Sequence, residues 1–310
     1  MHVLGIDVGG TKTVCLLADE RGRILGTGHG PGGNLLAAGE EALERVLRKV
    51  VTEAIDGRSI APDAVCLGVA GVDREDGKRT VRDLVSRAGY GSRVVVVNDA
   101  LIALVAGAAD RPAIVIIAGT GSIVYGRNAA NLAARAGGWG HIIGDEGSGY
   151  WIGREALAAV VRASDGRGPG TQLTDAVIQH FELDEVSGLA PIVYDRELPR
   201  VSVAALGPVV QRARDAGDPV ATAILERAAA ELAQAAEAVA TRLNLRDEAF
   251  RVVLAGGVFQ VVPWLVGDLG RRLSAIAPRC DVRLLEHEPA VGAVSLAIAE
   301  ARGRLTLPHY

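Results

Sequence analysis

The stretch Gly5-Ile6-Asp7-Val8-Gly9-Gly10-Thr11-Lys12-Thr13 decides the fold. An apolar run, Val3, Leu4 and Ile6, ends in an acid. A glycine pair and two threonines follow, and a second apolar run extends from Val14 to Ala18. This reads as strand, tight turn, strand. Glycines lack Cβ, so a ligand can approach the backbone of the turn closely. Free N–H groups and two hydroxyls suit a phosphate. Asp7 stands at the lip of the turn, where a carboxylate can hold a phosphate-bound Mg²⁺ through water. The stretch therefore predicts a nucleotide site.

The chain repeats this design. Ile114 to Tyr125 reads apolar run, Gly119-Thr120-Gly121-Ser122, apolar run. Two such hairpins about 110 residues apart predict two related halves, each giving one phosphate-facing turn. A third glycine turn, Ala255-Gly256-Gly257-Val258, follows the apolar run Val252–Leu254 and precedes a helix. Each turn alone could be a hairpin without a ligand; three together favour a shared task.

Outward from these turns, strands are predicted at 3–7, 13–18, 23–28, 64–69, 93–97, 112–118, 122–126, 250–255 and 281–285. Helical patterns fall at 39–56, 78–88, 99–108, 149–163, 203–216, 219–244, 261–276 and 289–302. Early strands are joined by turns and later ones by helices, which predicts α/β architecture with mixed sheets. Residues 164–200 mix Gly, Pro, Asp and Arg and read as an irregular, mostly helical insertion.

At 310 residues, two domains are expected. Hydrophobic residues make up 49% and aromatics only 4%, so the core is aliphatic. A net charge of −4 gives no basic face for nucleic acid. No secretory signal and no membrane span are expected. Cys15, Cys66 and Cys280 are far apart in apolar runs, which reads as buried small hydrophobes and fits a reducing cytoplasm. No P-loop, no Gly-x-Gly-x-x-Gly that opens a helix after a strand and no nucleophile elbow is present, so phosphate chemistry must use the glycine hairpins.

These three turns resemble those of the sugar kinase, hsp70 and actin superfamily. Within it the chain resembles the N-acetylglucosamine kinase group related to the BadF/BadG ATPases. The most specific segment is Gly137-Gly138-Trp139-Gly140-His141-Ile142-Ile143-Gly144-Asp145-Glu146-Gly147-Ser148, followed by Tyr150-Trp151-Ile152-Gly153. The resemblance implies two ribonuclease-H-like, actin-like ATPase domains around a central cleft, with ATP and sugar between them. Their expected bounds are 1–113, with a C-terminal helix 289–303 packing back on it, and 114–288, with a helical insertion at about 164–245.

The resemblance also implies roles. Asp99, at the end of the apolar run Val94–Val97, is the expected catalytic base toward the sugar 6-hydroxyl. From its residues alone Asp99 could simply cap the following helix. Asn34 and Asp145 are expected to bind sugar hydroxyls, with Gly138, Trp139 and Gly140 as the sugar wall; Trp139 could also be core. Gly9, Gly10, Thr11, Lys12, Thr13, Gly119, Thr120 and Gly121 are expected at the phosphates. Gly256 and Gly257 are expected at adenosine, and Asp7 at Mg²⁺.

The implied reaction is ATP-dependent phosphorylation of an amino sugar, N-acetylglucosamine first, with glucosamine or N-acetylmuramic acid as alternatives. A homodimer is compatible with it. Ala70 stands where eukaryotic relatives tend to carry serine, which bears on the identity of the sugar. A different class on the same fold is the ATPase activator of a 2-hydroxyacyl-CoA dehydratase or benzoyl-CoA reductase. Such activators hold an iron–sulfur cluster through cysteines, and the three scattered cysteines here offer no such set.

Overall fold

The computed structural model describes residues 1–33, 39–72, 75–90, 93–194 and 199–310. The strands are β1 (His2–Val8), β2 (Lys12–Asp19), β3 (Ile24–Pro31), β4 (Ala64–Val69), β5 (Val94–Asn98), β6 (Ala113–Ala118), β7 (Ser122–Arg127), β8 (Ala133–Gly137), β9 (Phe250–Ala255) and β10 (Cys280–Leu284). The helices are α1 (Glu40–Ile55), α2 (Glu75–Arg87), α3 (Asp99–Ala108), α4 (Gly149–Ser164), α5 (Leu173–His180), α6 (Leu189–Val193), α7 (Arg200–Ala204), α8 (Gly207–Asp215), α9 (Pro219–Arg242), α10 (Val258–Val261), α11 (Trp264–Ile276) and α12 (Ala290–Ala301).

The first sheet has the order β3-β2-β1-β4-β5. β1 pairs antiparallel with β2, and β2 with β3; β1 and β4 are parallel, as are β4 and β5. The second sheet has the order β10-β9-β6-β7-β8. Read from its other edge, β8-β7-β6-β9-β10, it matches the first strand by strand. The echo between the two glycine hairpins is thus an echo of whole sheets: the turns at 9–11 and 119–121 each join the first and second strands of equivalent halves.

The chain forms two compact units. The first comprises Met1–Val115, Tyr125–Ala134 and Leu285–Tyr310; the second comprises Ile116–Val124 and Arg135–Leu284. In the first unit, helices cover the sheet at very close range. A Cβ on Gly28 of β3 would overlap backbone of Val50 in α1, and a Cβ on Gly5 of β1 would overlap backbone of Val294 in α12. Glycine there lets helix and strand backbones meet, and any side chain would force them apart. The β1 and β4 runs are buried along nearly their whole length, as expected of strands covered on both faces. The far end of the β7–β8 hairpin is held in the first unit by Arg127, which donates to the Ala109 carbonyl at 2.5 Å, and by the Ala133 N–H, which donates to the His309 carbonyl at 2.7 Å.

Two sequence expectations change. β8, Ala133–Gly137, has no strand signal in Ala-Ala-Arg-Ala-Gly; it exists because the edge of β7 offers it hydrogen-bonding partners. The predicted helix 203–216 is two helices, α7 and α8, with Pro208 in the first turn of the second. A proline has no N–H to continue a helix but suits its first turn.

Candidate active site

In the first unit, β1 delivers Asp7 to the end of the sheet, opposite Val14 of β2 and Gly68 of β4. Asp7 is only 7% exposed. Burial, followed by the charge of Asp99 and then that of Glu288, pushes its carboxyl up to about 7, with Lys12 pulling the other way. A buried acid surrounded by further acids is costly, and such groups concentrate at functional sites. The turn after it is closed by the Gly9 N–H, which donates to the Lys12 carbonyl at 3.0 Å. Gly9 and Gly10 both have negative φ. A Cβ on Gly10 would meet no atom within 4 Å, so local folding does not demand glycine there.

Thr11 and Lys12 are exposed beside this turn. The Lys12 ammonium makes two hydrogen bonds to Glu288, at 2.8 and 2.9 Å. Sequence reading missed Glu288; it lies 276 residues away along the chain, just before α12, and has no local motif. Thr13 needs correction. It is fully buried, and its hydroxyl donates to the Pro31 carbonyl at 2.8 Å. It fastens β2 to β3 and leaves the phosphate-facing set.

Asp99 is the first residue of α3, and the capping residue is Asn98, whose side chain accepts from the Ala100 N–H at 2.7 Å. Asp99 Oδ1 shares that donor at 2.9 Å. The cap is therefore built around Asn98, which weakens the reading of Asp99 as a helix cap alone. Asn34 lies outside the described residues.

In the second unit, the Gly119–Gly121 turn is closed by the Gly119 N–H, which donates to the Gly121 carbonyl at 2.9 Å. The start of α4 rests on it: the Gly149 N–H donates to the Gly119 carbonyl at 2.8 Å. Asp145 meets the same turn. Its Oδ1 accepts from the Ser122 N–H at 3.3 Å, and a Cβ on Gly121 would lie 2.8 Å from its Oδ2. Burial raises the Asp145 carboxyl above its ordinary range, against the opposing pull of the Ser122 N–H, His141, Arg200 and the Gly140 N–H. Asp145 holds φ +61°, a left-handed conformation that aspartate tolerates better than most residues other than glycine.

The loop before Asp145 is pinned by the Gly138 N–H to the Ser122 carbonyl at 3.0 Å and by the Ser122 hydroxyl to the Glu146 carbonyl at 2.8 Å. Trp139 is 64% exposed, with the Arg135 guanidinium 4.8 Å from its ring centre, so the reading of Trp139 as core is overturned. Gly140 carries φ +84° beside it. Gly256 has φ +104°, and a Cβ on it would overlap the Ala118 carbonyl, immediately before Gly119. Gly257 opens α10 with nothing near its Cβ position. The structure thus brings Gly119, Thr120, Gly121, Asp145, Gly256 and Gly257 into one neighbourhood of the second unit. It gathers Asp7, Lys12 and Asp99 in the first.

The donor set fits Mg²⁺. Asp7, Asp99 and Glu288 outnumber Lys12 around the turn, so a cation is favoured, and carboxylate oxygen is the ligand Mg²⁺ prefers. Among the described residues, no three His, Cys, Asp or Glu side chains converge to hold an ion unaided. Phosphate oxygens and water would complete its shell. Among these residues no helix is long and apolar enough to cross a membrane.

The chain is similar to known proteins over nearly its whole length. The N-acetylmuramic acid/N-acetylglucosamine kinase of Clostridium acetobutylicum is 35% identical over 302 residues, covering 96% of this chain and 99% of that protein. The N-acetyl-D-glucosamine kinase of Dictyostelium discoideum is 33% identical over 310 residues, covering 95% and 97%. A solved structure from Chromobacterium violaceum, described as a candidate N-acetylglucosamine kinase, superposes with a TM-score of 0.75 at 28% identity, covering 95% and 98%. The profile of the BadF/BadG/BcrA/BcrD ATPase family matches residues 4–297, and the chain belongs to that family.

Proposed function

We propose that this chain is an ATP-dependent kinase that transfers the γ-phosphoryl group of ATP to the 6-hydroxyl of an amino sugar, N-acetylglucosamine first among them. The observation that carries this reading is the acidic cluster of the first unit. Asp7 is buried and raised to about 7 beside a glycine turn with open space above Gly10. Asp99 stands next to it electrostatically, at a helix start whose cap is Asn98. The names of relatives 35% and 33% identical over nearly their full length support the reaction class.

Asp99 is the base that orients the 6-hydroxyl and takes its proton as the oxygen attacks phosphorus. Phosphoryl transfer passes through a loose transition state, so the base mainly positions the nucleophile. Asp7 would hold Mg²⁺, whose charge would stabilise the transferring phosphoryl group. Gly9, Gly10, Thr11 and Lys12 are assigned to phosphate, as are Gly119, Thr120 and Gly121; Gly256 and Gly257 are assigned to adenosine. Asp145 accepts sugar hydroxyls, with Gly138, Trp139 and Gly140 beside them. A cytoplasmic setting, where ATP is made, fits this reaction.

The name of the Clostridium relative favours N-acetylmuramic acid as a second acceptor. An iron–sulfur activator is disfavoured by the cysteines themselves. Cys15 and Cys66 are buried thiols held well above their ordinary pKa by desolvation, so neither is disposed to become a thiolate ligand. Asp99→Asn tests the mechanism. It is expected to retain sugar binding and lose about 10²- to 10⁴-fold in kcat, the usual range for a general base. Near-wild-type kcat in that variant removes Asp99 from the role.

A further inference from the structure

Arg200 opens α7, and its Nη1 lies 3.3 Å from Nδ1 of His141. His141 in turn packs edge-on against Tyr150, with ring centres 5.2 Å apart. Arg200 and His141 both pull the Asp145 carboxyl down against the burial that raises it, and His141 precedes Asp145 by four residues in the same loop. Burial, and then Arg200, holds His141 below its ordinary pKa. A neutral imidazole with its proton on Nε2 presents Nδ1 as an acceptor, which orients the guanidinium without cancelling its charge.

Several arginines of this unit have carboxylate partners, whereas others, such as Arg242 and Arg279, donate to backbone carbonyls. Arg227 pairs with Glu155, Arg251 with Asp281, and Arg271 and Arg272 with Asp268. Among the described residues the side-chain partner of Arg200 is His141, not a carboxylate. Its charge is exposed and aligned by His141 beside a buried acid.

The geometry points to Arg200, oriented by His141, as the specificity-determining residue that reads a carboxylate carried by the acceptor sugar. The substrate class is an amino sugar with an acidic ether arm near the hydroxyls that Asp145 accepts. The inference rests on the assignment of Asp145 to the sugar. Asp145 by itself would repel such an arm, and the guanidinium offsets that repulsion. A neutral amino sugar offers Arg200 no carboxylate, so the loss of Arg200 falls chiefly on the acidic acceptor, with only an indirect effect on the others through Asp145.

The test compares three acceptors with the full chain: N-acetylglucosamine, N-acetylmuramic acid and the methyl ester of N-acetylmuramic acid. Sugar-dependent ADP release is measured for wild type, Arg200→Gln and Arg200→Lys. Arg200→Gln is expected to raise KM for the acid about 10- to 100-fold, the range for losing a hydrogen bond to a charged group, with kcat nearly unchanged. Constants for the two neutral acceptors change far less, and by the same factor for both, and their retained turnover shows that the variant is folded. Arg200→Lys recovers part of the loss, and added salt weakens only the acid's binding. The inference is overturned if wild type uses N-acetylglucosamine but not the acid, or if all three acceptors lose equally. Turnover with none of the three overturns the proposed function, and the inference with it.

Discussion

Replacing Asp7 by Asn removes a charge that the fold holds at a cost. The carboxyl rises from its ordinary 3.8 to about 7, chiefly through burial. That is about 3 pH units, each corresponding to about 1.4 kcal/mol, so keeping Asp7 ionised opposes folding by up to about 4 kcal/mol. The folded-state value lies above the unfolded one, so the folded chain holds the proton more tightly. The cost is nearly absent at about pH 4, grows as pH rises toward about 7, and is complete above it. Asp7→Asn keeps the shape and loses the charge. It is expected to exceed wild type in stability by as much as about 4 kcal/mol at pH 8, and by less than about 1 kcal/mol at pH 4. Urea unfolding followed by far-UV circular dichroism, in metal-free buffer at both pH values, reads the difference. Kinase turnover must fall in the same variant, because the carboxylate proposed for Mg²⁺ is gone. A stability difference that does not grow with pH, or a variant less stable than wild type at pH 8, refutes the electrostatic account of this cluster.

Gly256→Ala places a Cβ against the Ala118 carbonyl at φ +104°, so it is expected to destabilise by about 1–3 kcal/mol and to raise KM for ATP, read by thermal unfolding and steady-state kinetics. Lys12→Met removes an exposed ion pair and is expected to change stability by less than about 1 kcal/mol. In the same variant KM for ATP rises, because the ammonium no longer meets phosphate; an unchanged KM removes Lys12 from the phosphate site.

Periodicity and turn chemistry made much of this molecule legible. The run Val94–Val97 ending in Asn98-Asp99 could be read as strand then helix because apolar continuity stops where capping residues begin. Ala133–Gly137 could not, since nothing in its side chains prefers a strand and only its neighbour creates one. Thr13 shows a second limit. Its hydroxyl suits phosphate by type, but strand alternation turns it inward to Pro31 while Lys12 faces out. The site shows a third limit. The approach of Asp145 to the Gly121 turn and the pairing of Lys12 with Glu288 join residues far apart in sequence, and a single sequence carries no signal for such distances. The duplication could be suspected from two glycine turns, but its completeness is a property of strand order.

The most direct test is ADP release by the full chain with ATP and Mg²⁺ over a panel of amino sugars, with the phosphorylated position of each product assigned by NMR. The account predicts that N-acetylglucosamine raises turnover well above the sugar-free ATPase rate and gains phosphate on its 6-oxygen. A rate that no amino sugar raises above the sugar-free level contradicts it.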